Sequence, residues 1–155
     1  MNDPVLIASQ MICPNCGAPV DYGSNAVIYG RPFGSGLVYI CSRFPVCDTY
    51  VGAHGERANE EQRYLPMGTM ADATLRSLRK RVHNMIDTYW QVSSVMSRPA
   101  VYRHLAVLLN IPFEKAHVAM LDVGQCQFVL DHWEESMPDH LRNIFLSPEI
   151  FPKQE

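Results

Sequence analysis

Four of the five cysteines fall in two short pairs, and that arrangement restricts this chain more than anything else in it. The pairs are Cys13-Pro14-Asn15-Cys16-Gly17 and Cys41-Ser42-Arg43-Phe44-Pro45-Val46-Cys47, with 24 residues between them. Zinc takes four thiolates in a tetrahedron. A Cys-x2-Cys turn puts two sulfurs on one side of an ion, and Gly17 permits the backbone turn that aims amides at them. Cys41 and Cys47 stand further apart and close the site from the other side. The competing readings are a disulfide pair or unliganded core thiols. Neither explains why both pairs flank one hairpin. The expectation is one structural Zn2+ held by Cys13, Cys16, Cys41 and Cys47. A four-thiolate site has no open position, so it supplies folding energy rather than Lewis acidity. Cys126, on a helical core position, reads as a small buried apolar residue.

Residues 1–68 hold eight of the nine glycines and read as strands and turns. Val27-Ile28-Tyr29 and Leu37-Val38-Tyr39-Ile40 are β-branched and aromatic runs separated by Gly30-Arg31-Pro32-Phe33-Gly34-Ser35-Gly36, so they predict a hairpin. Asp48–Gly52 offers a third strand. After Gly68 the apolar period lengthens. Leu75, Leu78, Val82, Met85 or Ile86, and Tyr89 predict an amphipathic helix of about 20 residues, capped by Thr69 with Asp72 three residues on. A second helix runs from a Ser97 cap to Asn110, with Val101, Leu105 and Leu108 as its stripe, and Pro112 stops it. A short helical turn covers 113–116. Asp122 caps a last helix over 123–135 that buries Cys126, Val129, Leu130 and Trp133. The fold class is α+β: a hairpin-based four-cysteine ribbon over 1–68 packed on a bundle of about three helices over 69–137. Residues 138–155 form an acidic, Pro-containing tail. A ribbon of this size has too small a core to stand alone, hence the expected packing.

Charge narrows the function. Thirteen Lys+Arg face 16 Asp+Glu, and the formal net charge is −3. A generally basic nucleic-acid coat is excluded, and four thiolates around a dication would lower the charge further. The balance is −2 over 1–70, +4 over 71–110 and −5 over 111–155. The middle segment is therefore the one electrostatically suited to phosphate. Arg76, Arg79 and Lys80 cluster on the first helix, either as a phosphate-tracking side or as a solvated face. Tyr39, Phe44 and Tyr50 are either base-stacking rings or a small core around the metal. Arg31 and Arg43 are the cations nearest the ribbon. Among six histidines, His83 and Asp87 lie one helical turn apart, but no metalloprotease, nucleophile-elbow or phosphate-loop motif is present. His54, His83 and His117 read as structural hydrogen-bonding groups, and the chain reads as no enzyme.

The run Cys41-Ser42-Arg43-Phe44-Pro45-Val46-Cys47, with Cys13-Pro14-Asn15-Cys16-Gly17 before it, resembles the C-terminal zinc fingers of type IA topoisomerases. That resemblance implies single-stranded DNA binding, with Phe44 as the ring that stacks on bases. The chain departs from those fingers in carrying only Arg31 and Arg43 as cations around the finger. Over about residues 11–135 the chain also resembles a family of small zinc-finger-containing proteins of phages and prophages. The matching residues include Cys47–His54, Pro66–Asp72, Leu75-Arg76, His117–Asp122 and Cys126. That resemblance implies a zinc ribbon joined to helices and implies no reaction.

Two functions follow as expectations. The first is a non-enzymatic zinc protein that binds nucleic acid, single-stranded DNA above all, through Phe44, Arg43, Arg31, Arg76, Arg79 and Lys80. The second is a phage-type interaction module that binds and inhibits or redirects a host protein, such as RNA polymerase or a defence enzyme. Without an apolar run of about 18 residues or a basic leader, the expected location is the cytoplasm of a bacterial host, with no membrane partner.

Overall fold

The computed structural model describes residues 3–91, 96–138 and 141. The chain divides into two compact units, Met1–Arg76 and Ser77–Glu155.

The first unit opens with helix α1 (Pro4–Ser9). The Asp3 carboxylate caps it by accepting the Val5 amide at 2.9 Å, and Pro4 takes the first turn, where no amide is needed. Nothing in the apolar periodicity announces a helix this short. Strands β1 (Val20–Ser24), β2 (Leu37–Cys41) and β3 (Tyr50–Gly52) form a three-stranded antiparallel sheet in sequence order. Tyr22 pairs with Tyr39, which pairs with Val51. With side chains alternating between faces, one face gathers Val20, Tyr39 and Cys41 into a core with Ala8 of α1, Cys13, Cys47, Ala53 and Met70. The fully buried Tyr39 packs its ring 5.1 Å from Tyr22 and gives its hydroxyl proton to the Tyr64 carbonyl.

Two expectations are corrected here. Val27-Ile28-Tyr29 is not a strand but lies in the one-turn helix α2 (Ala26–Tyr29), closed by Gly30 at φ +78°. The hairpin partner of β2 is instead Val20–Ser24, despite its Asp, Gly and Ser. Ladder pairing decides the strand, and the β-branched propensity of an exposed Val27 is too small to compete. Likewise Thr69 does not cap the first long helix. Residue 71 is still extended, exchanging amide and carbonyl bonds of 2.9 and 3.1 Å with Tyr50, so the helix cannot begin until Ala73. Asp72 itself is the cap, accepting the Leu75 amide at 2.9 Å.

Helix α3 (Ala73–Ile86) is followed after a turn at Asp87 by α4 (Thr88–Gln91). Helix α5 (Arg98–Leu109) starts at the expected Ser97 cap, whose hydroxyl accepts the Ala100 amide at 3.2 Å, and ends at Asn110 in the left-handed conformation. Single 3-10 turns cover Phe113–Lys115 and Val118–Met120. Helix α6 (Val123–Ser136) carries a full capping box between Asp122 and Gln125. Val101, Leu105, Cys126, Val129 and Trp133 are buried in this second unit, whereas Leu130, expected in that core, is half-buried. Apart from Pro138 and Leu141, the expected tail 138–155 lies outside the described residues. Among the described residues no helix is long and apolar enough to cross a membrane.

Candidate metal centre

The four cysteines arrive from two structural positions. Cys13 and Cys16 flank a turn between α1 and β1, in which the Gly17 amide donates to the Cys13 carbonyl at 2.9 Å with Gly17 at φ +78°. Cys41 ends β2, and the loop to Cys47 folds back through bonds from the Phe44 amide to the Cys41 carbonyl (3.0 Å) and from the Cys47 amide to the Arg43 carbonyl (3.1 Å). Those bonds let a pair separated by five residues act like a tight knuckle. All four Sγ atoms lie within 4.8 Å of one another, with Cys13–Cys47 at 3.7 Å and Cys16–Cys41 at 3.4 Å. A tetrahedron with zinc–sulfur bonds of about 2.3 Å has edges of about 3.8 Å. A disulfide would need about 2.05 Å, and all five cysteines are free thiols. The donor set and its spacing fit zinc.

Outer groups orient the sulfurs. The Arg43 amide points at Cys41 Sγ (3.4 Å), and Asn15 Nδ2 and Thr49 Oγ1 reach Cys47 Sγ at 3.5 and 3.4 Å. Asn15 and Thr49 were not singled out from the sequence, where only nearness to a cysteine marks them. In the metal-free thiols the protons distribute unequally. Burial opposes ionisation of Cys13, but the amides of Cys16 and Asn15, helped by Cys47 and Cys41, outweigh it and bring Cys13 down to about 6. Burial pushes Cys41 up to about 12, with the Arg43 amide opposing and the three neighbouring thiols adding to the rise. The Thr49 hydroxyl draws Cys47 down against its burial, with Asn15 assisting. Cys126 is buried away in the second unit, where desolvation raises its thiol pKa.

The residues expected to contact nucleic acid separate into two sets. Arg31, Arg43 and Lys80 are exposed, and Phe44 is half-buried with its ring edge-on to Tyr50 at 6.3 Å. Arg76 and Arg79, by contrast, are engaged inside their own units, which corrects the picture of one basic helical side. Arg76 forks onto both Asp48 carboxylate oxygens at 2.9 Å, donates to the Asp48 and Ala71 carbonyls at 2.9 and 2.7 Å, and lies 4.0 Å over the Tyr50 ring. Arg79 is buried with its Nε 3.0 Å from the Leu121 carbonyl, and burial lowers its pKa. Helical spacing puts Arg76, Lys80 and His83 on one side, but it does not show that Arg76 and Arg79 have carbonyl partners. Tyr39, being fully buried, is core rather than a stacking surface. The sequence reading passed over Tyr29 and Phe33, exposed rings 5.5 Å apart, flanking Arg31.

Among the described residues His54, His83, His104 and His132 make side-chain hydrogen bonds, whereas His117, expected to be structural, is exposed. His83 Nδ1 lies 3.0 Å from Asp87, whose other oxygen accepts from Trp90 Nε1 (3.0 Å) and the Tyr102 hydroxyl (2.9 Å). His54 Nδ1 meets the Leu65 carbonyl at 2.9 Å. The Ser136 hydroxyl donates to the Trp133 carbonyl at 2.6 Å, so its 2.8 Å bond with His104 must be donated by Nε2–H. In that tautomer His104 cannot take the serine proton.

A family model described as DUF3268, zinc-finger-containing domain, matches residues 9–136. None of the curated proteins and none of the solved structures compared with the chain matches it. Four mutually close thiols inside a zinc-finger-containing domain make this a zinc-binding site.

Proposed function

Because the chain belongs to the DUF3268 family of zinc-finger-containing domains, we propose that it is a non-enzymatic protein whose single structural zinc shapes a ribbon for binding nucleic acid, single-stranded DNA in particular. Cys13, Cys16, Cys41 and Cys47 hold the ion. Four thiolates complete its coordination and leave no place for a substrate. The observation that carries the reading is Phe44. It is half-exposed, sits inside the loop between two metal ligands, and stands next to the exposed Arg43. Metal ligation fixes that loop, and a fixed ring beside a cation suits stacking of a base and contact with its phosphate. Arg31 and Lys80 add exposed positive charge, whereas Arg76 and Arg79 serve the fold. Free thiols fit a reducing bacterial cytoplasm as the working compartment.

Retention of a labelled oligothymidylate by the zinc-loaded protein, titrated with salt, tests this. Binding should be micromolar and fall with salt, and Phe44→Ala should weaken it by roughly 5- to 150-fold without changing the salt slope. Arg43→Glu should weaken it and flatten that slope. Absence of retention of any single strand at about 50 mM salt, where phosphate attraction is least screened, would refute the reading.

One observation favours a protein partner instead. In the second unit Val107 is 78% exposed and Phe113 49%, and both line an open groove with Arg103, whose guanidinium lies 5.7 Å over the Phe113 ring. Exposed apolar side chains beside an arginine are typical of interface anchors. Under this reading a host enzyme such as RNA polymerase or a defence nuclease docks there. Its recovery on the immobilised protein should then survive nuclease treatment and be lost with Val107→Asp.

A further inference from the structure

The connection from β1 to β2 holds two large rings out in solvent. Phe33 is 68% exposed and Tyr29 50%, with centroids 5.5 Å apart and planes inclined at 60°. The loop under them is braced rather than loose. The Asn25 amide side chain donates to the Phe33 carbonyl at 2.6 Å and accepts its N–H at 3.0 Å, and the Gly36 amide adds a 3.0 Å bond to the same carbonyl. The segment around Gly55 packs against it. Gly55, at φ +84°, approaches so closely that a Cβ there would stand 2.5 Å from Ser35 Cβ. The rings thus stand on a fixed backbone and need little ordering on binding.

A second pair of rings stands in the same unit: Phe44 meets Tyr50 at 6.3 Å. The first unit thus carries two ring pairs, Phe44 with Tyr50 and Tyr29 with Phe33. Exposed guanidinium groups accompany them: Arg43 next to Phe44 in the chain, Arg31 between Tyr29 and Phe33 in the chain, and Arg57 in a groove of about 840 Å³ that Phe33 also lines. A surface in which rings alternate with guanidinium groups suits unpaired bases, each with a π-face and a phosphate. A duplex offers neither face, because its bases are already stacked.

We infer that a single strand of nucleic acid binds this unit, and that Tyr29 and Phe33 form a second base-stacking station at the loop end, distinct from Phe44. The inference rests on the nucleic-acid reading above but can fail separately from it. The zinc-loaded full chain is titrated with labelled oligothymidylate, with oligouridylate, and with an abasic strand of the same length. Phe33→Ala should weaken both base-bearing strands by roughly 5- to 150-fold, leave the abasic strand unaffected, and leave thermal unfolding unchanged because the ring is exposed. Phe33→Tyr should restore binding. Equal loss on DNA and RNA is expected of stacking; loss on one alone would show that the loop reads the sugar and would overturn a stacking station. If Phe44→Ala weakens binding while Phe33→Ala and Tyr29→Ala do not, the second station is refuted and the first reading stands. If the abasic strand loses as much as the others, stacking is refuted at this loop. If the wild type retains none of the strands, both readings fall together.

Discussion

Replacing Arg76 with alanine distinguishes a fold-supporting guanidinium from a phosphate-binding one. The side chain forks onto Asp48, donates to the Asp48 and Ala71 carbonyls and covers Tyr50. Arg76 and Asp48 are 29% and 42% exposed, so the ion pair itself is worth at most about 1 kcal/mol. The cation over the ring adds about 0.5–1 kcal/mol at such a site. The Ala71 carbonyl keeps its bond from the Tyr50 amide, but the Asp48 carbonyl gives up a charged donor, a loss of about 1 kcal/mol or slightly more. The total is about 2–3 kcal/mol. For a unit of fewer than 100 residues that is a fall in Tm on the order of 10–20 °C. Arg76→Lys should recover only part of it, because an ammonium cannot fork. Thermal unfolding of the zinc-loaded protein, followed by zinc release to a chromogenic chelator, reads the effect. An unchanged Tm together with weakened oligothymidylate binding would refute the argument and return Arg76 to the contact surface.

Purified protein should contain about one zinc per chain by elemental analysis; Cys41→Ser should lose it, Cys126→Ala should keep it, and zinc in the Cys126→Ala protein below half the wild-type content would refute the assignment of ligands. Zinc retention should also fall as the pH falls, since each ligand must shed its proton, and a chelator competition series measures that. Burial holds His104 below the ordinary imidazole value. Its folded pKa is thus under its unfolded one, so the unfolded chain takes up the proton first. Its contribution to stability is complete above about pH 6.5 and declines as the pH drops below it; the urea midpoint of helical signal should fall more steeply with acidification in the wild type than in His104→Gln. Gly55→Ala places a methyl group against Ser35 in a left-handed backbone position and should destabilise the first unit by about 1–3 kcal/mol, measured as a lowered urea midpoint.

The parts of this structure that were legible in the sequence are those set by a residue's own chemistry. Four thiols at metal spacing came together, and Ser97 and Asp122 capped the helices they precede, because a thiolate or a cap acts through its own atoms. The parts that were not legible depend on partners distant in sequence. Val20–Ser24 is a strand because Leu37–Cys41 lies opposite it, not because Asp21, Gly23 and Ser24 favour extension. Ala71 stays extended because Tyr50 bonds it. Helical spacing placed Arg76 and Arg79 correctly on α3, but their carbonyl partners at Asp48 and Leu121 are 28 and 42 residues away. The Asp3-Pro4 start of α1 was a readable signal without an apolar pattern to draw attention to it.

The sheet runs in chain order, β1 to β2 to β3, with each strand beside its predecessor, and the last metal ligand is residue 47. All four ligands and all three strands therefore lie within residues 13–52, and no later residue among those described supplies a ligand. A meander of neighbouring strands waits for no distant segment, so the metal site closes on parts that are near one another along the chain.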